Sequence, residues 1–286
     1  MPALCRAPAS ARWPVAALLW KRGRGKRAGR AAGGDVSGPR VSFVIGGVQK
    51  GGTTALARYV GVHPQVALPR TKEAHVFDDP AFDDTWTSED VDRVYAQHFD
   101  TDGAEVLVGD ATPIYILHPA LVARIARYNP AMKWVVILRH PLERALSQHS
   151  MEAGRGDETW PFWGAMLLER LRLRGHTDDF AWGSPLRHHS YRLRGDYARQ
   201  LDVLFRHFPR EQVLVLRNER LADLPEATMR QVWGFLGLQV PAHADYPRVF
   251  EGDYQRLRRG GLRWRLYCRL FRRELRDQAA GHGIRW

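Results

Sequence analysis

Residues 41 to 60, VSFVIGGVQKGGTTALARYV, join an apolar run to a glycine-rich turn that carries Lys50, Thr53 and Thr54. Those residue types in that order suit a phosphate cradle. Gly46, Gly47, Gly51 and Gly52 let the backbone wrap closely around an anion. A helix opening near Gly52 offers unpaired N–H groups at the positive end of its dipole. Lys50 adds a formal charge and the threonines add hydroxyl donors. A nucleoside triphosphatase loop, G-x-x-x-x-G-K-[ST], places its lysine immediately before the hydroxyl residue. Gly52 occupies that position here, and Lys50 lies two residues earlier, at the crown of the loop. Taken alone, the segment also reads as a strand-turn-helix corner with incidental glycines.

A second segment, WVVILRHPLERALSQHSM at 134 to 151, sends an apolar strand into Arg139 and then into a helix bearing Ser147. In an open α/β sheet, ligands collect outside the carboxyl ends of the strands, so Lys50 and Arg139 are expected to converge on one crevice. The planar fork of an arginine can hold two phosphate oxygens at once, with a hydroxyl completing the shell. The plain alternative is a decorated helix start, although a cation there is unfavourable unless an anion is bound. A third segment, ALPRTKEAHVFDD at 67 to 79, gathers Lys72, Glu73, His75 and Asp78. By itself it reads as readily as a solvated loop as it does as an acid–base cluster.

Together the three segments resemble the sulfotransferases that use 3′-phosphoadenosine 5′-phosphosulfate (PAPS), in particular the bacterial and heparan sulfate (carbohydrate) branch. GVQKGGTTAL resembles that family's 5′-phosphosulfate loop, K-x-G-T-[TS]. Arg139, Pro141, Arg144 and Ser147 match, in order, its 3′-phosphate motif R-x-P-x-x-R-x-x-S. The Lys-Glu-x-His cluster is similar to K-E-x-H-F-F-D and departs only at Val76. The resemblance implies that Lys50, Gly51, Gly52, Thr53 and Thr54 hold the 5′-phosphosulfate, with Lys50 neutralising charge on the oxygen that leaves sulfur. It implies that Arg139 and Ser147 hold the 3′-phosphate. Glu73 is then the general base, His75 the reserve base, and Lys72 a stabilising cation; an acceptor hydroxyl needs such a base as it attacks sulfur. No metal is implied, because Lys50 and Lys72 supply the charge that magnesium supplies in phosphoryl transfer.

The likeness continues through most of residues 41 to 238. GDATPIYILHP at 109 to 119 resembles the family's E-K-S-P-x-Y segment with Ala111 in place of the lysine, so a structural turn suits Asp110 and Thr112 at least as well as a direct role. Residues 195 to 238 resemble its G-x-Y-x-x-Q-L helix, its F-P-x-x-Q-(V/I)-L-V-L strand and its terminal F-L-G-L. Beyond that, Arg258, Arg259 and Gly260 stand where relatives place a loop over the 3′-phosphate; an ordinary basic helix start is the alternative.

The elements that must position these residues follow from hydrophobic patterning alone. Strand-like runs are expected at Val41 to Val48, Val66 to Leu68, Glu105 to Val108, Lys133 to Leu138 and Gln212 to Leu216. Helical patterns fall between them, near Thr53 to Val62, Ser88 to Phe99, Pro119 to Tyr128, Leu142 to Ala153 and Gly195 to Phe208. That alternation predicts an α/β fold, a central parallel sheet flanked by helices, with the P-loop-like sulfotransferase arrangement that the resemblance implies. A helical, aromatic insert at about 155 to 193 breaks the rhythm. Its Trp160, Phe162, Trp163 and Trp182 are expected to be mainly packing residues, with a sugar-binding wall as the other reading.

The chain has 286 residues, a 44% hydrophobic fraction and a net charge of +12. Residues 1 to 38 read as a basic, disordered tail ahead of a sulfotransferase domain at 39 to 286, with an organellar transit peptide as the alternative. The longest apolar stretch of that tail, Val15 to Trp20, is too short to span a membrane. Excess charge raises nucleic-acid binding, but no zinc-finger, homeodomain or RNP-like spacing accompanies it, so no specific nucleic acid is expected. Two cysteines, Cys5 and Cys268, imply no disulfide framework and suit a reducing cytoplasm. The histidines form no metal-ligand spacing. The reading is sulfonyl transfer from PAPS to a hydroxyl, or less readily an amine, of a carbohydrate-like acceptor. The alternatives are a nucleotide kinase with a displaced lysine and a non-catalytic polyanion-binding module.

Overall fold

Phe43–Gly47, the five-residue strand β1, is buried along its whole length. That burial is what an unbroken apolar run demands of a central parallel strand. A computed structural model describes residues 40–100, 107–241, 245–247 and 257–286. In chain order β1 is followed by α1 (Thr53–Val60), β2 (Val66–Ala67), α2 (Ser88–Ala96), β3 (Leu107–Asp110), α3 (Pro119–Tyr128), β4 (Lys133–Leu138) and α4 (Pro141–Arg155). Then come α5 (Phe162–Arg172), α6 (Pro185–His188), α7 (Tyr197–His207), β5 (Val213–Arg217), α8 (Asn218–Asp223), α9 (Pro225–Leu236), α10 (Leu262–Leu270) and α11 (Arg272–His282). The strands form one sheet in the order β2-β3-β1-β4-β5, and each neighbouring pair is parallel.

Alternation along the strands sorts their side chains into two layers. Phe43, Ile45, Val135 and Ile137 pack with Leu56 and Val60 of α1 and with Val232 and Trp233 of α9. Val44, Trp134, Val136 and Leu138 face the other way, onto Tyr95 of α2, Ile125 of α3 and Leu201 of α7. Each such side chain contributes about 1.5–3 kcal/mol when fully removed from water. A third cluster ties Leu142 and Ala145 of α4 to Phe162 and Met166 of α5, with Trp264 and Tyr267 of α10 packed against it.

Helix starts follow a repeated His-Pro signal. His118 accepts from the Ala120 amide ahead of Pro119, and His140 accepts from the Leu142 amide ahead of Pro141. Proline at the first helical position loses nothing, because its missing N–H has no partner within the helix. α4 ends where Gly156 adopts φ 87°. β1 lies between β3 and β4, so the chain leaves the sheet in opposite directions at its carboxyl edge. That edge opens the crevice in which ligands of such sheets bind.

The expected elements are all present, α3 and β4 at the expected bounds and the others with shifted ends. β3 runs to Asp110 rather than Val108, and residues 105 and 106 lie outside the described residues, as does the expected tail at 1–38. α1 stops at Val60 and α2 at Ala96, each short of the expected end, whereas α4 extends to Arg155. One packing expectation is corrected: Phe162 is buried, but Trp160, Trp163 and Trp182 are exposed. α5 turns Phe162, Ala165 and Met166 inward, so the 100° step per residue carries Trp163 outward. Among the described residues, no helix is long and apolar enough to cross a membrane.

Candidate active site

The turn between β1 and α1 is built for close approach of an anion. Lys50 and Gly52 both adopt positive φ, 66° and 106°. A Cβ on Gly51 would sit 2.4 Å from the Ile137 carbonyl oxygen, and one on Gly52 would sit 2.3 Å from Asn218 Nδ2. Both positions therefore require glycine. No side chain caps the start of α1 and its first turn holds no acid, which leaves the first amides at Thr53 and Thr54 available to an anion. Among the described residues, Lys50 Nζ meets only the Met151 sulfur, at 3.6 Å. Burial lowers its pKa, and the nearby Arg155 and Arg139 add to the effect. An ammonium that is half withdrawn from water and has no hydrogen-bonded carboxylate is costly until an anion arrives.

Arg139 leaves the end of β4 and turns toward this loop, where Nη1 donates to the Lys50 carbonyl at 3.5 Å. Its Nε lies 3.5 Å from Glu143 one turn along α4. Ser147, a further turn on, is buried and lines the same cleft. Arg144 takes a different path: it is fully buried and donates to Gln148 and to the Tyr191 carbonyl, which ties α4 to the segment before α7.

The third segment forms a tight charged loop in which Glu73 and His75 both take positive φ, 70° and 55°. Such strain persists only where surrounding contacts hold it. Three consecutive amides are so held: Ala74 donates to Asp110, His75 to Thr112 Oγ1 and Val76 to the Tyr115 hydroxyl, at 3.5, 3.4 and 3.1 Å. Asp110 in turn is fully buried and accepts from the hydroxyls of Tyr95, Thr112 and Tyr115. Asp110 and Thr112 thus hold the loop in place, the structural role considered for them.

Glu73 pairs with Lys72 on one side and lies 3.5 Å from His75 Nε2 on the other. His75 Nδ1 meets Asp78 at 2.9 Å, and Asp78 is closed off by Arg187 at 2.8 Å. Burial alone would raise the Glu73 pKa, but the hydrogen bond from His75 and the Lys72 ammonium outweigh it and hold the carboxyl at about 2. For His75, burial works toward the neutral form and is outweighed by Asp78 and Glu73, which raise the ring to about 9. At neutral pH the pair is carboxylate and imidazolium.

Lys50, Gly52, Thr53, Thr54, Glu73, His75, Arg139 and Ser147 line one cleft of about 790 Å³. Segments almost a hundred residues apart in sequence meet there, at the carboxyl edge of the sheet. A sulfotransferase family model matches residues 42–242, more than half of the chain. The chain belongs to the sulfotransferase family. It is 30% identical over 197 residues to heparan sulfate glucosamine 3-O-sulfotransferase 3B1 of Mus musculus, covering 68% of this chain and 46% of that protein. Over 201 residues it is 30% identical to the 3A1 enzyme of Homo sapiens, covering 68% and 44%. The chain thus spans under half the length of these mammalian relatives. A solved sulfotransferase from Alicyclobacillus acidocaldarius superimposes with a TM-score of 0.67 at 29% identity, covering 85% of this chain and 95% of that one.

Within this sulfotransferase-family fold, the remaining expected residues fall at the margin. Gly51 is buried within the loop, and Lys72 reaches the cleft through Glu73. Arg258, Arg259 and Gly260 do not line the cleft. Arg259 instead pairs with Glu143 at 2.8 Å and Glu219 at 3.3 Å, and Glu143 is also the partner of Arg139. Sequence reasoning did not single out Arg187, His188, Arg194 or Asn218, all of which line the cleft. Trp182 meets His75 edge to face, ring centroids 5.3 Å apart, and the Arg187 guanidinium lies over the Trp182 ring at 4.3 Å from its centroid. Glu152, Asp157 and His188 bring ligand-type atoms within 4.8 Å of one another, a grouping invisible in spacing. Their mutual ion pairs at 3.0 and 3.5 Å account for them, and we assign them no metal.

Proposed function

We propose that this chain moves a sulfonyl group from PAPS to a hydroxyl of a glycan acceptor. The observation that carries the reading is the meeting, in one cleft, of a half-buried lysine that makes no hydrogen bond to a carboxylate among the described residues and the Glu73–His75 pair. In this reading Lys50, Thr53, Thr54 and the loop amides hold the 5′-phosphosulfate, and Arg139 with Ser147 holds the 3′-phosphate. The acceptor oxygen attacks sulfur, the bond from sulfur to the 5′-phosphate oxygen breaks, and Lys50 stabilises the charge that collects on that oxygen.

Glu73 takes the acceptor proton. Its carboxylate is ionised across the working pH range, whereas His75 already carries a proton and is better suited to steadying Glu73 than to replacing it. Trp182 offers a half-exposed ring above His75, on which the apolar face of a pyranose can stack. The glycan acceptor and the preference for oxygen over nitrogen draw support from the heparan sulfate 3-O-sulfotransferases to which the chain is similar. We also propose that residues 39–286 form the catalytic domain and, from the two-cysteine composition, that it works in the cytoplasm.

The test is a PAPS-dependent transfer screen against glycans, lipids and small alcohols, read by mass spectrometry for added sulfonate on oxygen. Sulfonated glycan is the expected product. Donor turnover only with a non-carbohydrate acceptor would reject the glycan assignment, and no turnover with any acceptor would reject the activity.

A further inference from the structure

The third cluster of the fold has an outer side as well as an inner one. α5 commits Phe162, Ala165, Met166 and Glu169 inward, and α10 lays Trp264, Tyr267 and Cys268 against them. The opposite side of α5 carries Trp163, Leu167 and Leu171 at four-residue steps, so they form one ridge. They are 53%, 63% and 66% exposed. On α10, Leu262 and Leu266 repeat the same step and are 86% and 56% exposed. Contact of the Phe162 and Tyr267 rings, 5.1 Å between centroids, makes the two helices neighbours. Scattered apolar residues on a surface need no explanation, but this set gathers on two adjacent helices.

Charge on this side has one sign. Leu257–Arg273 is rich in arginine and holds no carboxylate. Arg263, Arg265 and Arg269 are exposed on α10, and Arg170 and Arg174 are exposed along or just past α5. Between Trp160 and Arg174 the sole acid is Glu169, which is buried and accepts from the Arg192 and Leu193 amides. We propose that this outer side of α5 and α10 docks onto an anionic lipid surface. Leucine and tryptophan sink into the boundary of headgroups and acyl chains, while arginines reach the phosphates and carboxylates around them. A water-soluble polyanion would use the arginines and leave Leu262 and Leu167 in water.

The placement keeps the cleft clear. α4 gives Leu142, Ala145 and Leu146 to this cluster and Ser147, Met151 and Arg155 to the cleft, which are opposite sides of one helix. A membrane held against α5 and α10 therefore lies behind α4, away from the donor loop.

Flotation of the full chain with vesicles of phosphatidylcholine, with and without phosphatidylserine, tests the proposal. Binding is expected only to the anionic vesicles. The triple change Trp163→Ser, Leu262→Ser and Leu266→Ser should weaken it at least about tenfold while retention on heparin is unchanged. In the unmodified protein, anionic vesicles should slow hydrogen exchange along α5 and α10 and not along α1 or α3. Absence of vesicle binding, or binding that the triple variant retains in full, overturns the proposal. So does sedimentation showing a dimer that the same changes dissociate, since a second copy would then be the occupant.

Discussion

Glu73 and His75 face each other at 3.5 Å across Ala74, both in the left-handed backbone region, on a loop whose three central amides are tied to Asp110, Thr112 and Tyr115. The tight loop closes two titratable groups to 3.5 Å, where extended backbone would put residues i and i+2 on one face but about 7 Å apart. It also allows Asp78 to reach the far nitrogen of His75. The carboxylate is thereby held ready while the ring behind it stays charged.

Replacing Glu73 by Gln keeps the shape and removes the base. Turnover should fall by about 10²–10⁴ with little change in affinity for adenosine 3′,5′-bisphosphate, since the donor contacts lie on other segments. Steady-state kinetics with calorimetry on the same preparation separate the two effects. Retained turnover in Glu73→Gln together with its loss in His75→Ala would transfer the role of base to His75.

The Glu73–His75 pair also fixes the pH dependence. The His75 pKa is raised from 6.5 to about 9, so the stability and charge it contributes are fully present below pH 6.5 and are lost as pH rises through 9. Glu73, held at about 2, stays ionised throughout that range. The profile of kcat/KM should therefore be level from mildly acidic to mildly alkaline pH and fall near pH 9. Asp78→Asn, which removes the carboxylate behind the ring, should move that alkaline limb toward neutrality. A limb that does not move in this variant would place the titration elsewhere.

Trp182 should act on the acceptor alone. Trp182→Ala is expected to raise the acceptor KM by roughly tenfold, about 1.4 kcal/mol of stacking, and to leave bisphosphate affinity as it was. Trp182→Phe should restore much of the loss. Equal weakening of donor and acceptor would mean that the ring only supports the loop of His75.

What could be read from sequence had a local cause. β1 and the turn at Gly51 and Gly52 announce themselves because a doubly buried strand is apolar throughout and the turn admits no Cβ. α3 was legible to its ends because His118 and Pro119 start it and Asn129 and Pro130 stop it. Arg187 was not legible, since its partner Asp78 lies 109 residues away and only the folded chain joins them. The same holds for Glu143, the partner of Arg139, whose other partner Arg259 lies 116 residues further along the chain. Trp163 is exposed although a tryptophan in a helical segment is usually packed, because its one-residue offset from Phe162 sends it to the outer side.

The donor assignment rests on a loop whose lysine sits at the crown, beside Arg139, and titration calorimetry addresses it directly. Adenosine 3′,5′-bisphosphate should bind one to one without magnesium, and saturation at about 100 times its dissociation constant should stabilise the fold by roughly 2.7 kcal/mol. Arg139→Ala should weaken that binding by about tenfold or more through loss of a charge-assisted phosphate contact. Magnesium-ATP should bind far more weakly. Tight binding of magnesium-ATP with no detectable binding of the bisphosphate would contradict the account.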